Sequence, residues 1–257
     1  MTRTVRPALT AGILGAALAL AACTGDDSSA PAAETPPESD TSAAEADQRA
    51  EEAAATLADL PTTDVDVSPD ENYLTAVGAP DAEVTMVVFE DYLCHYCQAM
   101  STQALPELQD LVDDGTLRIE YRDVGVLAPQ SVTLAQAAWA AAQQDGYAAY
   151  HESLMADPPA AEDVTAETLT ERAVEAGLEP EQFGTDLAAA DTAAQISANA
   201  QLAMDIDLSG TPTTVVGGFV MVGLQDAETL RLAVEGVAAG VTPGGETSSE
   251  SGSGPSA

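Results

Sequence analysis

The run Val84-Thr85-Met86-Val87-Val88-Phe89 is a short, unbroken series of strand formers, and only four residues separate it from Cys94-His95-Tyr96-Cys97. Apolar residues without polar alternation mark a strand covered on both faces. From about Cys94 to Asp114 the pattern is helical, interrupted by Pro106 and closed by Gly115. A second strand is predicted at Leu117 to Arg122, where Leu117, Ile119 and Tyr121 alternate with Arg118, Glu120 and Arg122. Strand, helix and strand within about forty residues make a βαβ unit, which commits the chain to an α/β sheet. The two cysteines then fall where the first strand gives way to the first helix.

Residues 130 to 206 read as helices only, with Gly146 and Gly177 as natural stops. After Gly210-Thr211-Pro212 the strand pattern returns. Thr213 to Val216 and Phe219 to Val222 flank Gly217-Gly218, the signature of a hairpin. Asp226 to Ala238 closes the body as a helix, with Leu230, Val234 and Val237 at helical spacing. The predicted body is residues 71–239, a small α/β sheet interrupted by a helical block at about 128–207.

The ends have different compositions. Arg3 and Arg6 precede the apolar run Ala8 to Ala22, followed directly by Cys23. Fifteen residues rise only about 22 Å as a helix, short of the roughly 30 Å hydrocarbon core, so residues 1–22 read as a cleaved export signal and not as a span. Leu20-Ala21-Ala22-Cys23 resembles the lipobox of bacterial lipoproteins, which implies that Cys23 is acylated and holds the chain at the cell membrane. Residues 23–70 carry mostly Ala, Pro, Ser, Thr and acid, and are expected to be an unstructured tether. Residues 45–59 could form a marginal exposed helix with no assigned partner. Residues 240–257 read as a disordered tail.

Charge narrows the functional classes. Against 43 Asp and Glu stand 7 basic residues, all Arg, for a net charge of -36. Nucleic acid is excluded as a partner, because phosphate binding rests on clustered cations.

With Cys23 set aside, Cys94 and Cys97 are the remaining cysteines. Unpaired amides and the dipole at a helix start raise the thiolate fraction of a thiol placed there, so Cys94 is the expected attacking sulfur. Cys97, one turn further in, is placed to displace whatever Cys94 captures. A structural disulfide closing so short a loop would remove little chain entropy. Structural zinc wants four ligands, and only His95 and His151 could join the thiols, so no metal is assigned. An exported CxxC is most simply a dithiol that cycles.

VTMVVFEDYLCHYC, then ALPELQDLVDDGTLRIEYRDVGVL, then the helical block, then GTPTTVV, together resemble the DsbA-like branch of the thioredoxin-fold thiol:disulfide oxidoreductases, over Asn72 to Val237. The resemblance implies a thioredoxin fold with an inserted all-helical domain, and no cofactor beyond the dithiol. It implies that Thr211-Pro212 is a cis-proline loop packed against the CxxC, with Thr211 offering its backbone to an extended client peptide. Its partners would be exported proteins with cysteines and a redox partner that resets the dithiol, with oxidation of clients the preferred direction. A binding lipoprotein on the same fold, either a metallochaperone or a peptide-capturing module, is the alternative reading.

Two positions depart from the family pattern. Many relatives carry a buried carboxylate six residues before the first Cys, where this chain has Val88. Proton transfer for the resolving thiol then falls to water, Glu90 or Asp91. The dipeptide His95-Tyr96 is uncommon, and a protonated His95 would favour the Cys94 thiolate while nearby Glu90 and Asp91 would oppose it. His151 reads as an ordinary helix residue ahead of a proton shuttle, and Trp139, Tyr147 and Tyr150 as packing residues of the inserted block ahead of a substrate groove.

Overall fold

A computed structural model of the chain describes residues 39–68 and 73–244. The export signal, Cys23 and residues 245–257 of the tail lie outside the described residues. Helix α1 (Ser39–Leu57) comes first, followed by β1 (Ala76–Val77) and β2 (Val84–Glu90). The cysteine-bearing helix is broken: α2 (His95–Ala99) runs into a π-helical turn (Met100–Ala104), a 3-10 turn (Leu105–Leu108) and α3 (Gln109–Asp113). Pro106 lacks an N–H and its ring crowds the preceding turn, so the α-helical ladder cannot pass through this point unchanged. β3 (Leu117–Asp123) follows, then the helices α4 (Pro129–Ala142), α5 (Tyr147–Ala156), α6 (Ala166–Glu175), α7 (Pro180–Leu187) and α8 (Ala190–Asp205). The chain closes with β4 (Thr213–Val216), β5 (Phe219–Val222) and α9 (Ala227–Ala238).

The strands form one sheet in the order β1-β3-β2-β4-β5. β2 and β3 are parallel, in a register that sets Val84 beside Leu117 and Glu90 beside Asp123. β4 runs antiparallel to β2, with Phe89 opposite Thr213. The two-residue turn between β4 and β5 places Gly217 and Gly218 at φ 55° and 86°, the left-handed pair that such a hairpin needs. β2 is covered on both faces. Met86 and Val88 pack with Leu108, Leu230 and Val234, and Val87 and Phe89 pack with Val67, Val215 and Ala203. Each such side chain contributes roughly 1.5–3 kcal/mol by leaving water, which makes this strand the spine of the fold.

β3 differs from its sequence pattern in a useful way. Leu117, Ile119 and Tyr121 enter the larger core, but Arg118, Glu120 and Arg122 are buried too. Glu120 accepts from Arg118 Nε at 3.2 Å, from Arg122 Nη2 at 3.1 Å and from Ser68 Oγ at 2.8 Å. Arg122 lies over the Tyr73 ring at 3.5 Å. The polar members of the alternation form a paired layer beneath the segment that leads into β1.

The expected tether needs correcting. Residues 39–68 belong to the folded body: α1 packs along α9, Ala53 and Leu57 are fully buried, and Val67 joins the core. Arg49 donates to Glu235 at 2.6 Å and meets Glu228 at 3.3 Å. The physical reason is small size at the crossing. A Cβ added at Gly236 would lie 2.9 Å from Ala53 Cβ and 3.1 Å from Leu57 Cδ1, so the two helices approach through a glycine. Pro61 and Thr63 then bond to Val220 and Gly218. The tail also begins later than expected, since Val241 N bonds Gly236 O and Val241 packs against the core.

Gly236→Ala tests this contact. In an exposed helix the change would add about 1 kcal/mol; here a net loss of about 1 kcal/mol is expected in urea denaturation, because α1 must shift. A gain would mean that α1 does not bear on α9.

Candidate active site

The C-terminal end of β2 carries the site. Phe89 anchors the strand in the core, and the chain then turns through Glu90-Asp91-Tyr92-Leu93 into the cysteines. Asp91 makes that turn. Its Oδ1 accepts from Leu93 N at 2.9 Å, and its Oδ2 accepts from Val126 N at 3.0 Å and Leu127 N at 3.1 Å. With three backbone donors engaged, Asp91 braces the loop after β3 and is withdrawn as a proton carrier, a correction to the sequence expectation. Its carbonyl accepts from Cys94 N at 2.9 Å.

Cys94 caps α2, with its carbonyl accepting from Gln98 N at 3.0 Å. Cys94 and Cys97 are both free thiols. They differ in access: Cys94 is 7% exposed and Cys97 is fully buried behind it. Burial pushes the Cys97 thiol well above its usual range, and the nearby charge of Glu90 pushes the same way. His95 and Tyr96 are exposed, with ring centroids 5.9 Å apart, and Tyr96 is 60% open to solvent.

Thr211-Pro212 lies against the cysteines, although more than a hundred residues separate the two motifs. The bond between Thr211 and Pro212 is cis. Cys94 Sγ donates to Thr211 O at 3.3 Å. The pairing of β4 with the end of β2 brings the two segments together. The structure therefore gathers Cys94, Cys97, His95, Tyr96, Thr211, Pro212 and Glu90 at one end of the sheet.

Val88 is buried in the core, and the acid near Cys97 is Glu90, two positions later. Glu90 sits beside Asp123 across the parallel pair. Both are buried, and burial holds both carboxyls well above the usual carboxylate range; a side-chain hydrogen bond with Asp123 opposes this at Glu90, where the charge of Asp91 adds to it, and the charge of Glu90 adds to it at Asp123. Glu90 Oε1 is 2.5 Å from His151 Nε2 on α5. Burial pulls His151 down to about 4. Tyr92, Tyr121 and Tyr147 surround its ring, with centroids at 5.7, 4.5 and 5.2 Å.

Asp123 escapes a reading of the sequence, and His151 is set aside in it as an ordinary helix residue. Asp123 ends an alternating strand, and His151 stands alone on a helix. The usable signal is the four-residue spacing of Tyr147 and His151, which puts both on one helix face.

Residues 71–236 match a thioredoxin family model. The chain belongs to the thioredoxin family. Disulfide bond formation protein D of Bacillus subtilis is 25% identical over 166 residues, covering 62% of this chain and 74% of that protein. The crystal structure of oxidised BdbD from Bacillus subtilis superposes with a TM-score of 0.60 at 25% identity, over 66% of this chain and 95% of that one. A thioredoxin-like oxidoreductase from Silicibacter pomeroyi gives 0.57 at 33% identity, over 66% and 96%. These relatives set the thioredoxin-family chain on the DsbA-like branch, as a thiol:disulfide oxidoreductase with a helical insertion in the sheet. A sodium/proton antiporter of Salinispora tropica also matches, at 31% identity over 173 residues, but the chain spans only 25% of its length. Ion transport is a property of that protein. No helix among the described residues is long and apolar enough to cross a membrane.

Proposed function

We propose that this oxidoreductase oxidises cysteines of exported proteins at the outer side of the cell membrane, held there by a lipid on Cys23. A client thiolate attacks Cys94 Sγ in the Cys94–Cys97 disulfide. Cys97 leaves with the bonding pair and takes up a proton through Glu90. A second client thiolate then attacks the client sulfur of the mixed disulfide, releasing an oxidised client and reduced Cys94. The observation that carries this reading is the asymmetry of the dithiol: Cys94 lies against the Thr211 carbonyl and keeps 7% of its surface exposed, and Cys97 keeps none.

Support for the oxidising direction comes from the same contact. The Cys94 S–H bond to Thr211 O exists only in the dithiol, and whatever stabilises the reduced form makes the disulfide a stronger oxidant. The Bacillus relative is named for disulfide bond formation. Client recognition falls to Thr211, which offers its backbone to an extended peptide, and to an apolar rim. Tyr96 lies beside the cysteines, Val222 pairs with Thr213, and Val126 and Leu127 hang from Asp91; all four are about half exposed or more. Such a rim suits unfolded, apolar segments, and the chain's net charge of -36 disfavours acidic ones.

Equilibration in glutathione buffers of graded ratio, followed by counting thiols by mass, tests the reading. A reversible two-electron transition at Cys94 and Cys97, with the oxidised protein converting a reduced unfolded client to disulfide, is expected. A dithiol that never equilibrates with glutathione overturns the proposal.

A further inference from the structure

A sealed Cys97 poses a problem of proton traffic. Cys97 is fully buried, and so is Glu90, so neither can exchange a proton with solvent directly. A client seated over Cys94 and Thr211 closes the remaining approach. The Glu90 carboxyl pairs with the Asp123 side chain beside it and meets His151 Nε2 at 2.5 Å. His151 is 5% exposed and lines a cavity of about 370 Å³ together with Ser101, Thr102, Tyr121, Ala148 and Glu152. None of Cys94, Tyr96, Thr211 and Pro212 lines that cavity, so the client does not cover it.

We infer that His151 is the outer end of a proton relay that connects Cys97 through Glu90 to solvent in this cavity, by a route separate from the client face. The inference rests on the redox role proposed above and adds a residue and a path to it. An imidazole suits this position because it can take a proton on Nε2 and release the one on Nδ1. When Cys97 resolves a mixed disulfide, its S–H proton passes to Glu90, Glu90 hands its own proton to His151 Nε2, and His151 gives one up to the cavity. The electron pair left on Cys97 Sγ forms the bond to Cys94 Sγ, and the client sulfur leaves with the pair of the bond that breaks. In the oxidising direction the protons run inward to the departing Cys97.

The surroundings fit a relay better than a structural bond. Behind His151, side-chain hydrogen bonds link Glu90 to Asp123, Asp123 to Tyr92 and Tyr92 to Tyr147, a buried chain of groups that can carry a proton. The groups that face His151 are Glu90 from β2, Tyr92 from the turn after it, Asp123 and Tyr121 from β3, and Tyr147 and Glu152 from α5. Ser101 and Thr102, from the turn after α2, bring no charge to the cavity wall. Asp123 and Glu152 favour a proton on His151 and burial opposes it, so the imidazole can receive a proton without keeping it.

The test uses the reduced full-length protein mixed with glutathione disulfide, quenched with acid at intervals and resolved by mass. The wild-type adduct at Cys94 should form and decay quickly as Cys97 attacks it. His151→Ala and His151→Gln should form the adduct at the wild-type rate and lose it at least about tenfold more slowly near pH 7. Imidazole in the buffer should restore the rate of His151→Ala, which a packing defect would not allow. Adduct decay at the wild-type rate in either variant overturns the relay, and so does a slowed decay that imidazole leaves unchanged. If the wild-type protein forms no adduct at Cys94, it is the redox reading itself that fails.

Discussion

Cys94→Ser is expected to lower exchange with glutathione disulfide by about a thousandfold or more, a loss of the size seen when a nucleophile is removed from an active site. The argument is positional. Cys94 is the cysteine of the pair that keeps some exposure, at 7%, and Cys97 is fully buried behind it. Burial also holds the Cys97 thiol protonated, so Cys97 cannot stand in as the attacking group. Cys97→Ser should behave in the opposite way. Capture through Cys94 should stay within about threefold of wild type, since the capping geometry and the Thr211 contact do not involve the Cys97 sulfur. The adduct should then persist, because a serine hydroxyl does not displace a disulfide sulfur. The adduct mass at Cys94 over time checks both. Equal turnover in the two variants, or capture through Cys97, would refute the assignment. The same Cys97→Ser protein, expressed in cells, should hold its clients as mixed disulfides.

The sequence makes the spine of the fold legible because β2, β3 and the hairpin are specified locally. Val84 to Phe89 has no alternation to mislead, and Gly217-Gly218 can serve few other purposes. The same holds for Cys94 and Cys97 at the junction of strand and helix. What stays hidden depends on partners far along the chain. α1 looks like a solvated helix of Ala and Glu, and only its meeting with Gly236 turns Ala53 and Leu57 into core. β1 is two residues long and exists through its pairing with Ile119 and Glu120. The burial of Arg118, Glu120 and Arg122 stays hidden because buried charges are rare unless paired, and their pairing with one another and with Ser68 is a product of the fold. Glu90 and Asp91 are neighbours of the same charge, and nothing in their order separates them. Folding does: Asp91 meets three backbone donors, and Glu90 meets His151, sixty-one residues away.

That separation makes Glu90→Gln informative, because it should make the protein more stable and less active at once. Gln keeps the shape and can still reach His151, but it does not ionise beside Asp91 and Asp123. Burial raises the folded-state pKa of Glu90 above its unfolded value. The native protein therefore holds the proton that the unfolded chain gives up above roughly pH 4.3. A raised pKa contributes stability that is present at low pH and lost as pH climbs toward the folded value. His151, pulled down to about 4, acts with the opposite sign: its contribution is present above about 6.5 and lost as pH falls toward 4. Between pH 4 and 6.5 the two offset each other, and above 6.5 Glu90 and Asp123 weaken the fold together. Glu90→Gln removes one of these acids, so its advantage over wild type should widen with rising pH. It should reach about 1–3 kcal/mol, or roughly 3–10 °C in Tm, near pH 8. Meanwhile the attack of Cys97 on the Cys94 adduct should slow about a hundredfold, the lower end of what a positioned acid or base supplies. Thermal melts from pH 4.5 to 8.5 and adduct decay on the same samples measure both. A variant that is stabilised with an unchanged rate of decay would reduce Glu90 to a buried charge without a task, and one that is destabilised at high pH would mean that the carboxyl holds the fold together.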